Sequence, residues 1–215
     1  MVSPAAKRLE AADADRAQVH RARILTRVTD GRRAAAARTM SRMPVDIREA
    51  RPEEHPAAGM VTQRAWLEFE RPDDPSWRVY FERLGDVAGR AERALVLVAV
   101  ERGQVVGTAT VELETTLEPG AMLEPGVARF RMLAVDPERR GRGIGRALVE
   151  ACLERARAAG KTAATLHTAD EMAAATALYR SLGFERDPGA DLEVAPGVVL
   201  RAYRLALAGT RPAGS

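Results

Sequence analysis

The stretch that most restricts how this chain can fold runs from Ala128 to Gly160. A run of strand-forming residues, Ala128 to Val135, is stopped by Asp136-Pro137, because proline has no N–H to give to a ladder. Then comes Glu138-Arg139-Arg140-Gly141-Arg142-Gly143-Ile144-Gly145-Arg146, followed by a segment with Ile144, Leu148, Cys152 and Ala156 at helical spacing, ending at Gly160. The order is strand, glycine-rich turn, helix. Glycines clear side chains from the approach to the turn. The helix start offers unpaired N–H groups and a positive dipole end, so the turn suits a pyrophosphate, and Arg140, Arg142 and Arg146 add cationic charge.

Spacing separates the phosphate-binding turns. A nucleotide-hydrolysing P-loop needs Gly-Lys followed by Ser or Thr, whereas Gly145 is followed by Arg146 and Ala147. The dinucleotide fingerprint needs a third glycine where Arg146 stands, and its glycines follow the strand directly, without an intervening Asp136-Pro137-Glu138-Arg139. Arg140-x-x-Gly143-x-Gly145 instead resembles the acyl-CoA loop of the GNAT superfamily of N-acetyltransferases. Leu133-Ala134-Val135-Asp136-Pro137 looks like that family's fourth strand and its exit, and Leu178-Tyr179-Arg180-Ser181-Leu182-Gly183-Phe184 like its later helix and turn. The resemblance covers about Val45 to Leu207.

The resemblance implies an α+β GNAT fold: a central mixed, mostly antiparallel twisted sheet with splayed fourth and fifth strands, flanked by helices on both faces. It implies acetyl-CoA as acyl donor and transfer of acetyl to an amine of a small molecule or peptide. Leu133, Ala134 and Val135 would present backbone groups to the pantetheine arm, which pairs with them as an added strand would. Arg140, Gly141, Arg142, Gly143, Ile144, Gly145 and Arg146 would hold the pyrophosphate. One position departs from the pattern: Met172 stands where the family often has an asparagine touching the CoA arm, with Thr168, Asp170 and Thr176 as candidates to offset the loss.

Acetyl transfer from a thioester needs a neutral amine and a proton for the departing thiolate. Tyr179 matches the family tyrosine whose hydroxyl approaches the sulfur, and a phenol with pKa about 10 is protonated at neutral pH; packing is the competing role. For the base, His167 ends a predicted strand, Ala163 to Thr168, and an imidazole pKa of about 6.5 suits proton removal. Glu112 and Glu114 are the other candidates. They alternate with Val111 and Leu113, which puts both on one polar face of the preceding strand. Cys152 shares the apolar helix face and reads as a buried small hydrophobe rather than a nucleophile.

The remaining chain reads as one domain with appendages: a basic extension over 1–43, the acetyltransferase domain over 44–208 and a short tail over 209–215. Residues 1–42 carry ten Lys/Arg and four Asp/Glu, so the net charge of +3 belongs to the extension. It lacks an aromatic residue to stack on bases, which argues against nucleic-acid binding. Its few large apolar residues predict a frayed helix or disorder, with initiation at Met40 or Met43, or a mitochondrial targeting role, as alternatives. No apolar run reaches the roughly 20 residues that span a bilayer and no secretory leader is legible, so a cytoplasmic location is expected. A single cysteine excludes an internal disulfide, and no metal site is expected.

Further expectations are a strand at Val45 to Glu49, a helix opening near Pro52, a second from Asp74-Pro75 and a hairpin of Leu95 to Val100 with Val105 to Glu114 around Arg102-Gly103. Five of nine aromatics fall between Trp66 and Phe81, as core or as a pocket wall. Acceptor specificity is expected there and in the Leu117 to Gly126 loop, where Glu68, Glu70, Asp73 and Asp74 could draw a cationic amine. A non-catalytic acyl-CoA sensor is the alternative function, and monomer and homodimer are both open.

Overall fold

Residues 45–70, 75–118, 120–195 and 198–207 are described by the computed structural model. The expectations for the 1–43 extension, for 209–215, and for Asp73 and Asp74 lie outside the described residues. In chain order the elements are β1 (Asp46–Glu49), α1 (His55–Trp66), α2 (Pro75–Gly85), α3 (Val87–Ala91), β2 (Leu95–Glu101), β3 (Gln104–Glu112) and β4 (Val127–Val135). Then follow α4 (Ile144–Ala158), β5 (Ala163–Thr168), α5 (Ala173–Ser181), β6 (Glu185–Arg186), β7 (Leu192–Ala195) and β8 (Val198–Ala206).

The strands form one mixed sheet in the order β1-β2-β3-β4-β5-β8-β6, with β7 paired to β8. Every pairing is antiparallel except β4 with β5. The β2–β3 turn uses Arg102 and Gly103, at φ +52° and +77°, the two consecutive left-handed residues that match the twist of a tight hairpin.

Helices cover both faces because β2 is apolar on both. Leu97 and Ala99 join a core with Ile144, Leu148, Cys152 and Ala156 of α4, while Val96 and Val98 point the other way and pack on Ala58 of α1 and Val87 of α3. The α4 stripe read from the sequence is the buried one, and Gly160, at φ +70°, ends the helix: Lys161 N–H reaches Ala156 O and Gly160 N–H reaches Arg157 O. At the entrance to α1, Glu54 accepts from the Arg48 guanidinium at 2.6 and 2.7 Å and from Arg51 N–H at 2.9 Å.

The hairpin departs from the sequence reading at its end. β3 stops at Glu112, so Glu112 and Glu114 do not share a solvated face. Glu112 is fully buried, and Glu114 is exposed and paired with Lys161 at 2.7 Å. The cause is the following loop, which folds back so that Glu112 Oε1 accepts from Leu117 N–H at 2.7 Å and from the Thr116 hydroxyl at 3.3 Å.

Candidate active site

Parallel pairing between β4 and β5 runs from Val127↔Ala163 to Phe130↔Leu166 and ends there. Beyond that rung β5 continues through His167 and Thr168, paired only with β8, while β4 continues to Val135, paired only with β3. The strands therefore fork. Met132 lies at φ +51°, and the β3–β4 register jumps from Thr110↔Arg131 to Thr108↔Ala134. Two residues of β4, Met132 and Leu133, thus oppose Ala109 alone, which is a β-bulge at the mouth of the fork. No glycine marks this bulge, and a methionine in left-handed backbone is not legible from sequence pattern. From the bulge onward Leu133, Ala134 and Val135 have their β5-side backbone groups outside the ladder.

β4 leads directly into the glycine turn. Asp136 closes the strand: its N–H reaches Val106 O at 2.9 Å, and its carboxylate accepts from Glu138 N–H and from Arg64 at 3.0 Å each. Gly141 and Gly143 take φ +75° and +83°, and Gly143 is the N-cap of α4. The first intrahelical bond is from Ala147 N–H to Gly143 O, so the amides of Ile144, Gly145 and Arg146 lie ahead of the helical ladder. A Cβ on Gly145 would meet Leu178 Cδ2 at 3.5 Å, so this turn packs directly against α5.

The arginines of the turn are already engaged. Arg140 bonds Glu68 at 2.7 Å and Ala65 O at 3.1 Å, Arg142 lies 3.8 Å from Glu101, and Arg146 donates to Ser181 Oγ at 2.7 Å beside Glu150. The expected anion preference is thus concentrated in the backbone amides and the helix dipole rather than in free guanidinium charge. Glu68, one of the acidic residues singled out in the sequence, pairs with Arg140 of the turn.

Tyr179 and His167 occupy opposite faces of the sheet at the fork. Tyr179, on α5, belongs to the α4-side core and stacks edge-on to Phe184 at 6.0 Å, which in turn contacts Phe130 at 6.3 Å. Burial pushes its phenol well above the usual range, so it holds its proton at neutral pH. His167 follows Leu166, whose side chain enters that core, and so projects to the other face. There its Nε2–H donates to Ala190 O at 2.9 Å, which leaves Nδ1 as the acceptor of the neutral ring. Burial lowers its pKa, and Arg129 and Arg131 lower it further. Asp191 fixes the Ala190 turn, accepting Ala202 N–H at 2.9 Å beside Arg186 and Arg201. Cys152 is buried and its thiol is pushed up to about 12, which removes it as a nucleophile.

The aromatic cluster ties α1 to α2: Trp66 lies 5.6 Å from Tyr80 and 6.1 Å from Phe69, and Trp77 lies 5.9 Å from Tyr80. A cleft of about 240 Å³ beside Arg93, Glu114 and Met122 contains none of the fork or turn residues. Met172 caps α5 without a side-chain hydrogen bond, and Thr168 is buried with its hydroxyl unpartnered.

Residues 58–184 match the family model described as Acetyltransferase (GNAT) family, more than half of the chain. The chain belongs to the GNAT acetyltransferase family. A mycothiol acetyltransferase of Kocuria rhizophila is 39% identical over 72 residues, 34% of this chain and 24% of that protein. An IAA acetyltransferase of Azospirillum brasilense is 39% identical over 93 residues, 43% of this chain and 56% of that protein. These alignments span a quarter to just over half of the relatives' lengths. The fold of paia N-acetyltransferase from Thermoplasma acidophilum, solved with coenzyme A, superposes with a TM-score of 0.61 at 12% identity, over 76% of this chain and 99% of that one. This member of the GNAT family has, among its described residues, no helix long and apolar enough to cross a membrane.

Proposed function

We infer that this acetyltransferase moves the acetyl group of acetyl-CoA directly onto an amine held in a ternary complex at the β4–β5 fork, in the cytoplasm. The observation that carries this reading is the junction of the fork and the glycine turn. An edge of free backbone at Leu133–Val135 leads within one short turn to unpaired amides at Ile144–Arg146. A pantetheine arm fits the first and a pyrophosphate the second. In this reading Arg140 and Arg142 brace the turn, Gly141 and Gly143 give it its left-handed backbone, Gly145 lets it pack against α5, and Arg146 holds it to Ser181.

The chemistry is assigned to the two faces. Nδ1 of neutral His167 takes a proton from the acceptor ammonium. The freed nitrogen lone pair attacks the thioester carbonyl carbon, forming the C–N bond. The C–S bond then breaks, its electron pair leaves with sulfur, and Tyr179 gives that thiolate its phenolic proton. The second amine proton is lost to solvent, the protonated His167 ring releases its proton to solvent, and the Tyr179 phenolate regains one from solvent. No covalent enzyme intermediate is involved, in keeping with the buried, protonated Cys152.

Calorimetric titration with acetyl-CoA, followed by release of CoA thiol over a panel of amines, polyamines, amino acids and peptides, tests the reading. Saturable 1:1 binding with thiol release on at least one amine is expected. Absence of acetyl-CoA binding would overturn it.

A further inference from the structure

Among the described residues six buried side-chain atoms lack a hydrogen-bond partner: Arg90 Nε and Nη2, Thr110 Oγ1, Glu112 Oε2, Arg129 Nε and Thr168 Oγ1. Five of them lie on one face of the sheet, the His167 face. Thr110 and Glu112 alternate with the core residue Val111 on β3, and they stand opposite Arg131 and Arg129 on β4. Arg90 comes down from α3, next to Val87, which packs on Val96, the β2 partner of Thr110. Buried polar atoms are normally paired, so five orphans on one patch point to groups that a ligand supplies.

The charges on this patch are unequal. Four guanidiniums, Arg83, Arg90, Arg129 and Arg131, face three carboxylates, Glu112, Glu118 and Asp86, the last of which acts on Arg90. Arg131 takes both glutamates, at 2.7 Å from Glu118 and 3.5 Å from Glu112, and Arg83 sits 3.9 Å from Glu118. Among the described residues Arg129 has a single ion-pair contact, 3.9 Å to Glu112. Arg90 donates to two carbonyls, Arg83 O and Leu84 O, and burial lowers its pKa to about 10. Tyr80 lies within the field of Arg83, Arg90 and Arg131, which places the α1–α2 aromatic cluster over the patch. The floor, Arg90, Thr110 and Glu112, is buried, whereas the side chains of Arg129 and Arg131 keep 24% and 22% exposure, so the patch opens at the arginines. Arg129 belongs to the penultimate rung before the fork, Arg131 follows the last rung, and both charges reach His167.

We propose that the acceptor is an amine carrying a carboxylate close to its nitrogen, a free amino acid, and that Arg129 binds that carboxylate. The proposal rests on the transfer reading above and deepens it. With the amine at His167, the carboxylate of an α-amino acid falls about two bonds away, toward the incompletely paired guanidinium of the strand before the fork. Arg131, held by two carboxylates, fixes the wall, and the net positive charge of the patch, four guanidiniums against three carboxylates, favours an anion over a second cation. A peptide N-terminus, whose α-carboxyl is an amide, lacks the group that this patch would bind.

The test compares CoA-thiol release from acetyl-CoA with each of the twenty amino acids and with the primary amide of each, using the full chain, R129Q and R129K. We expect kcat/KM for at least one amino acid to exceed that of its amide by about 10-fold or more. R129Q should lose about 10- to 100-fold on the acid, mainly through KM, and little on the amide, with R129K between. An unchanged acetyl-CoA titration shows that the variants are folded, and if R129Q does not fold, the acid-against-amide comparison on the natural chain decides alone. Equal turnover of acids and amides, turnover of amides or other amines with no amino acid accepted, or an equal loss on both in R129Q overturns the proposal while leaving acetyl transfer intact. Failure of thiol release with every amine tried counts against both.

Discussion

Phe130 and Leu166 form the last rung of the parallel ladder, and past that pair β4 and β5 part, so that Arg131 and His167 stand where the next rung would be. This one interruption places the proposed acid, base and acyl path together. The α4-side core anchors Tyr179 on one face, the polar patch surrounds His167 on the other, and the β4 bulge opens the backbone between them.

Tyr179→Phe keeps acetyl-CoA affinity and lowers kcat by about 100-fold or more, the range for losing a positioned general acid. The ring contacts with Phe184 persist without the hydroxyl, so stability changes little. Single-turnover thiol release beside a calorimetric titration separates the two effects; unchanged kcat removes Tyr179 from the chemistry.

For His167 the pH profile carries the prediction. Burial, Arg129 and Arg131 lower its pKa, opposed by Ala190 O and Asp191. The base form therefore persists to lower pH than in a free imidazole, and kcat should rise with pH along an acid limb centred below about 6.5. His167→Gln abolishes that limb as well as lowering kcat, and a limb that survives in the variant belongs to another group.

The glycine turn separates two substitutions that look alike. Gly143→Ala forces a Cβ into left-handed backbone at φ +83°, costing about 1 kcal/mol and weakening acetyl-CoA binding. Gly145→Ala places its Cβ at ordinary contact distance, 3.5 Å from Leu178 and 3.7 Å from Val135, and binding should survive. Titrating both variants with acetyl-CoA checks the contrast.

The pair at the start of the domain makes a stability prediction. Hydrogen bonds from Arg48 hold the Glu54 carboxyl down to about 2, from an ordinary value of 4.5. A depressed folded-state pKa means stability that is present above pH 4.5 and lost as pH falls toward 2. Arg48→Met should lower Tm at pH 7, and the difference in Tm from the natural chain should shrink through that acid window.

What the sequence made legible follows from period and spacing. The alternation and runs of β2 to β5, the α4 stripe and the Arg140–Gly145 spacing all recur in the structure, because each is a local pattern that the backbone repeats. The bulge at Met132 was not legible, since no residue type demands it there; it arises from how β4 is held between β3 and the departing β5. Glu112 was misplaced on a solvated face because its burial depends on Leu117 N–H returning from a loop five residues on. Pairing of Arg140 and Arg142 was hidden for a similar reason: Glu68 and Glu101 lie far away along the chain.

The central claim, that acetyl-CoA lies along the fork and the glycine turn, is tested most directly by amide hydrogen exchange with and without saturating acetyl-CoA. Slowed exchange confined chiefly to Leu133–Val135 and Gly141–Arg146 is the predicted result. Unchanged exchange at both segments, while acetyl-CoA is shown to be bound, would place the donor elsewhere on the molecule and contradict the account.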